Sequence, residues 1–396
     1  MPVSALATLL LIGSAAHAQV ASWTGNVDNN WTNDSNWQWT GAAPTSTDAA
    51  VINAYPGVDP VLSSNTTIQA LTVGGSTVGN LQINQATLNT SSVLIGNSNG
   101  SNGTITVTGS GTNGSARLNS SSDATVGLNG VGSLTLDAGA VANISGTTYV
   151  GGASGGVGNL TINTDSSLIG NGLVIGNTGA VGTMQVNGGV VNMSGSVVLG
   201  SGGGSNGSAS LINGAQWLIG DRLTVGSGGS ASLSITGGST VDSVTGVIGT
   251  AGSTLSTVNI SGAGSRWTNT GSLFVGTVNN GNLTISDGAN VSSANTVIGR
   301  QDTSNSSVNG PAAPVLRWRR ATSPWAVTPA PVPLAVPDGS PSAVVPMPPP
   351  RSCIWVTSLA RAVRSRSTMP TSPPAIACRS ATATAPAATS VSAMAA

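Results

Sequence analysis

Down the middle of this chain a step in which Leu, Ile or Val stands directly before a glycine recurs at Gly96, Gly127, Gly151, Gly176, Gly200, Gly226, Gly249, Gly276 and Gly299, with intervals of 23 to 31 residues. One short unit is therefore copied with small insertions and deletions. A unit of that size cannot bury its own apolar face and must stack on its neighbours, which specifies a solenoid and moves function to the surface.

Within each unit a short strand alternates aliphatic and polar residues, as in Leu81-Gln82-Ile83, Leu134-Thr135-Leu136, Leu160-Thr161-Ile162, Met184-Gln185-Val186 and Leu283-Thr284-Ile285. Period-two alternation sends the aliphatic pair to one face and the middle residue to the other. Stacked, the middle residues form an outward column of uncharged hydrogen-bonding groups: Gln82, Thr106, Thr135, Thr161, Gln185, Ser210, Ser234, Asn259 and Thr284. The strand that ends at the recurrent glycine differs, because its central column is Leu94, Thr125, Tyr149, Val174, Val198, Thr224, Val247, Phe274 and Val297. If its neighbours Ile95, Val126 and Val150 point inward, this mostly apolar column faces out as a candidate interaction surface, or lies under a neighbouring strand or loop. A third strand follows the Gly-rich turn, and Trp217 and Trp267 occupy matching places in it as packing residues.

Composition supports strands and turns. All acids are Asp and all bases Arg, and with 55 glycines and no Glu or Lys most good helix formers are missing. Only 6% of residues are charged and 3% aromatic, so neither ion-pair networks nor an aromatic core can organise the fold.

Four segments follow. Residues 1–18 read as a secretory signal, an apolar run from Val3 to Ile12 followed by Ala16-His17-Ala18, although without a basic residue near Met1. Residues 19–70 are a capping region in which Trp23, Trp31, Trp37 and Trp39 crowd together. Large aromatics can cover the first exposed layer of a solenoid core, and stacking on carbohydrate is the sharper alternative for the same four residues. Residues 71–309 are the repeats, expected to form about nine or ten coils of about 25 residues with an open C-terminal end. Residues 310–396 are a tail rich in Pro, Ala and Arg.

The junction at Asn309-Gly310 is sharp. Residues 19–309 hold 11 Asp against 4 Arg, a net of −7, whereas 310–396 hold 1 Asp against 8 Arg, a net of +7. Sixteen of 20 prolines follow Gly310, and asparagine disappears after Asn309. A one-base shift turns Gly-Thr codons such as GGC-ACC into Ala-Pro, so the tail reads best as the same repeat out of frame. A Pro-rich linker and a basic arm are the other readings. The cysteines, Cys353 and Cys378, both lie in it, which excludes a disulfide scaffold for the body.

The repeats closely resemble those of bacterial autotransporter (type V secretion) passengers and of some PEP-CTERM surface proteins. The similarity is carried by Gly281-Asn282-Leu283-Thr284-Ile285-Ser286-Asp287-Gly288, by Ser261-Gly262-Ala263-Gly264-Ser265-Arg266-Trp267 followed by Leu273-Phe274-Val275-Gly276, and by the opening Trp23-Thr24-Gly25 with Asn36-Trp37 and Asp48. It covers about residues 22 to 309. It implies an all-β, right-handed parallel β-helix on the surface of a Gram-negative cell, in adhesion, autoaggregation or biofilm structure, with host or neighbouring-cell surfaces, glycans or further copies as partners. The amphipathic strands of an outer-membrane translocator barrel and a PEP-CTERM segment are not found in this sequence, which fits a truncated or frameshifted reading.

The sequence argues against most chemistry. The only histidine is His17, in the signal, and there is no lysine, so no Ser-His-Asp triad, His-ligated zinc site or P-loop can be assembled. Gly151-Gly152-Ala153-Ser154-Gly155-Gly156 lacks the acid of a calcium nonapeptide, and no cofactor is expected. The rival reading is a β-helical polysaccharide-degrading enzyme, which needs clustered carboxylates. Asp137, Asp165, Asp242 and Asp287 are instead placed in turns, and Asp221-Arg222 is the one local pair of opposite charges, most simply a surface ion pair. Nucleic acid is not expected as a partner, because Arg117, Arg222, Arg266 and Arg300 are scattered over a net negative body.

Overall fold

In the computed structural model the described residues are 19–53, 57–111, 115–250, 252, 255–300, 306–310 and 375–378. Residues 1–18, which the sequence reads as a secretory signal, and most of the tail, including His17 and Cys353, lie outside them. The chain is a parallel β-solenoid of about 11 turns with about 25 residues per turn. At about 4.8 Å per turn the rod is roughly 50 Å long.

Each turn contributes three strands, one per face of the rod. The first face stacks such rungs as Val78–Asn84, Asn102–Thr108, Val131–Asp137 and Val157–Ile162. The second stacks Thr87–Thr90, Arg117–Ser120 and their equivalents, and the third Ser92–Ile95, Ala124–Val126, Val197–Ser201 and Thr245–Ile248. In several turns the second and third strands run on as one bent strand, as in Val141–Val150 and Ser167–Asn177. The expected register holds at every step: Gln82 pairs with Thr106, Thr106 with Thr135, Thr135 with Thr161, and so on to Asn259 with Thr284.

Burial explains the alternation. Leu81, Ile105, Leu134, Leu160 and Met184 form one inward column of the first face and Ile83, Val107, Leu136, Ile162 and Val186 another, all buried. Slipping the register by one residue would turn the whole aliphatic set to water, so the pattern fixes the pairing. Trp217, Val241 and Trp267 stack in register inside the second face, and both tryptophans are fully buried. The Trp267 ring occupies space that a side chain on Gly246 would fill, since a Cβ there would lie 2.6 Å from its Cζ2.

The nine recurrent glycines all adopt left-handed φ, from 62 to 83°. That conformation turns the chain from the third face without breaking the ladder: Gly96 donates its N–H to Val73 O at 2.9 Å, and its own carbonyl accepts from Leu128 N at 3.0 Å. Any other residue would be strained there.

The array starts earlier than the sequence reading placed it. Val73-Gly74 is a further step of the same kind, with Gly74 at φ 66°. Upstream of it Val20–Trp23 pairs in parallel with Ala49–Ile52, which pairs with Ala70–Val73. Residues 19–70 therefore supply rungs, which is why there are about 11 turns rather than nine or ten. Their repeats were hidden because the turns of this segment lack the aliphatic-glycine step.

Trp23 and Trp37 meet edge-on with centroids 5.0 Å apart, as do Trp37 and Trp31 at 4.7 Å. Trp23 Nε1 donates to Val58 O and Trp37 Nε1 to Trp31 O, at 2.8 and 2.7 Å. The short 3-10 turn Asp34–Asn36 beside them is the only helical element among the described residues. At the other end, the last first-face rung Ser306–Asn309 is not open, because Ala375–Cys378 pairs with it antiparallel.

Candidate interaction faces

The third face carries an unbroken column in register from Ser22 through Val51, Thr72, Leu94, Thr125, Tyr149, Val174, Val198, Thr224, Val247 and Phe274 to Val297. It alternates along each strand with the buried column Ile95, Val126, Val150, Ile175, Leu199, Val225, Ile248 and Val275, so it lies on the outer side. Its exposure is less than an outward position suggests. Leu94, Tyr149, Val174, Val198, Phe274 and Val297 are half-buried, and Val247 is buried. Turn residues crowd the column: a Cβ on Gly152 would lie 3.2 Å from Leu128 Cδ1 and also against Thr125 Cγ2. Near the C-terminal end the Arg300 guanidinium stands 6.0 Å over the Phe274 ring. The face is thus a flush, mostly apolar strip.

A more exposed apolar column lies across the corner, where the first face begins. Val78, Val131 and Val181 are 46, 38 and 42% exposed, and Val157 between the last two is half-buried. Asn102 interrupts the row between Val78 and Val131, and Asn206 follows Val181. Sequence reasoning missed this column, although its signal was present as the Val-Gly step opening four of the first-face strands, at Val78-Gly79, Val131-Gly132, Val157-Gly158 and Val181-Gly182. These glycines serve another end than the recurrent nine. A Cβ on Gly103 or Gly158, in the same column, would collide with the carbonyl of Val73 or Val126 in the turn before.

The four tryptophans separate. Trp23, Trp31 and Trp37 are 3, 1 and 4% exposed, so none of them offers a ring face to a sugar. Trp39 is 79% exposed and sits at φ 78°, a left-handed conformation unusual for a bulky residue.

The acids act as local acceptors. Asp28 accepts from Asn33 Nδ2, Asn36 Nδ2 and Asn30 N at 2.9, 2.6 and 2.9 Å, and these bonds hold its carboxyl below the ordinary carboxylate range. The Thr45 hydroxyl does the same for Asp48, and Ser261 and Ser286 for Asp287. Two sequence assignments change. Asp221 accepts from Ser196 Oγ at 2.6 Å, and no ion pair to Arg222 is formed among the described residues. Asp242 lies in the strand Thr240–Ser243 and pairs with Arg266 of the next turn at 3.7 Å. Neighbouring rungs bring these two together, which chain spacing did not reveal.

Among the described residues no group of three or more His, Cys, Asp or Glu is placed to hold a metal ion. A shallow depression of about 400 Å³ is lined by Ser98, Asn99, Asn129, Ser154 and Gly155, all uncharged. No helix among the described residues is long and apolar enough to cross a membrane.

These features place the molecule in the class of parallel β-solenoids whose exterior is built of ladders of like residues. No family model matches the chain, and no curated protein or solved structure matches it.

Proposed function

We propose that this chain is an exported, surface-displayed, non-enzymatic solenoid that works by adhesion or self-association, as in the autotransporter passengers its repeats resemble. The reading rests on one observation, the uninterrupted third-face column from Ser22 to Val297. A mostly apolar strip with few charges near it suits contact along the rod's length with another flat surface, including a second copy. Partners are a host or neighbouring-cell surface, glycans, or the chain itself. Attachment to an outer membrane would run through a translocator barrel.

Trp39 favours a second reading, carbohydrate binding at the N-terminal end, because a strained and exposed aromatic ring is an expense without return in folding. One experiment separates the two. The chain is displayed on a non-adherent cell, and clumping and retention on immobilised polysaccharide are scored for the parent, for Val174→Lys with Val198→Lys, and for Trp39→Gly. Adhesion through the strip predicts that the double variant abolishes clumping while Trp39→Gly does not. Loss of polysaccharide retention in Trp39→Gly alone supports the second reading. A parent no stickier than the empty cell removes both.

A further inference from the structure

The repeat is punctuated by Asn-Gly steps, and several of them are held by hydrogen bonds between turns. At Asn129 the side-chain Nδ2 donates to Asn97 O at 3.1 Å, and the following Gly130 N–H donates to Gly96 O at 3.1 Å. Asn213 Nδ2 donates to Asn187 Oδ1 at 2.7 Å, and the N–H groups of Gly188 and Gly214 donate to Ile212 O and Gly237 O at 3.0 and 2.8 Å. Asn171 Oδ1 accepts from Ser194 Oγ at 3.3 Å. Asn309, before Gly310, is half-buried.

Asn99-Gly100 has none of these restraints. It forms the tip of the turn Ser98 to Ser101, which is closed at its base by Ser101 N and Oγ donating to Ser98 O at 3.0 and 2.7 Å. Both tip residues are exposed, and a Cβ on Gly100 would meet nothing within 4 Å. Among the described residues neither the Asn99 amide nor the Gly100 N–H has a hydrogen-bond partner.

We propose that Asn99 is a site of spontaneous deamidation, favoured over Asn129 and Asn213 because hydrogen bonds between turns hold the side chain and the following N–H at those two steps and leave both free at this one. The Gly100 nitrogen, after losing its proton to solvent, attacks Asn99 Cγ. The new C–N bond forms as the Cγ–Nδ2 bond breaks, and Nδ2 leaves as ammonia with protons from water. A five-membered succinimide remains. Water then opens either of its two C–N bonds to the Gly100 nitrogen, giving aspartate or isoaspartate. The balance is one water consumed and one ammonia released, with no change of oxidation state. The product carboxylate stands on the rim of the depression shared with Asn129 and Ser154, adding a negative charge where every lining group is neutral.

The full folded chain, incubated at mildly alkaline pH and digested, would be followed by peptide mass spectrometry with fragmentation that separates aspartate from isoaspartate. Asn99 should convert roughly tenfold or more faster than Asn129 or Asn213, the factor expected when reaction at those sites must first break one or two native hydrogen bonds. In denaturant the three rates should converge. Asn99→Gln should remove the signal and leave the melting temperature unchanged. Native rates at Asn129 or Asn213 equal to that at Asn99 would overturn the proposal, as would a preference for Asn99 that persisted in denaturant.

Discussion

Single residues here are judged by what lies one turn above and below them. Gly103 shows this most sharply, because its Cβ position is already taken by the Val73 carbonyl of the preceding turn. Gly103→Ala must push two turns apart, and overpacking of this kind costs about 1–3 kcal/mol. Gly111 is the contrast: at φ 84° and with open space around it, alanine there meets only left-handed strain of about 1–2 kcal/mol. Urea denaturation should show both losses, with local loss of amide protection around Val73 and Gly74 in Gly103→Ala only. Protection lost equally in both variants would refute the close-packing account. The recurrent nine glycines were legible from sequence because each follows an aliphatic residue at a regular period. The Gly103 column was printed in the same sequence, but its reason is a backbone in another turn.

Strands gain their stability from the columns they share. Trp217 and Trp267 fill equivalent places in the second face, yet their indole N–H groups differ: Trp267 Nε1 donates to Ser243 Oγ at 3.2 Å, and Ser243 Oγ donates on to Asn269 Oδ1 at 2.8 Å. Trp217 Nε1 is buried with no partner. Replacing either ring by phenylalanine loses similar packing, but only Trp217→Phe also removes an unpaired buried donor. A buried unsatisfied group costs about 1–3 kcal/mol, so Trp267→Phe is expected to be the more destabilising by that order. Thermal unfolding of the two variants would decide it, and equal losses would contradict the hydrogen-bond assignment. The matching places of the two tryptophans were readable from spacing. Their different polar surroundings were not, because Ser243 and Asn269 belong to separate turns.

At the scale of the whole rod, charge is sparse, and several of its carboxylates hold turns. Hydrogen bonds favour the ionised carboxyls of Asp28, Asp48 and Asp287 and hold all three below the ordinary carboxylate range. A group whose folded pKa is depressed adds stability that is present above its unfolded value and lost as pH falls through the folded one. The melting temperature is therefore expected to hold steady above the ordinary carboxylate range and to drop below it, most of all at the N-terminal end where Asp28 and Asp48 lie. Asp28→Asn should flatten that acid limb in a pH series of melting curves, and an unchanged limb would refute its share. Period, strand alternation and the inward aliphatic columns were determined by the sequence alone, because a solenoid repeats each physical requirement along the chain every 25 residues or so. The tertiary structure alone decided which outward residues stay open to solvent, which tryptophans are covered, that Asp242 meets Arg266, and that Asn99 is left unheld. Each of those depends on atoms one full turn away, and a linear sequence does not show how closely two turns approach.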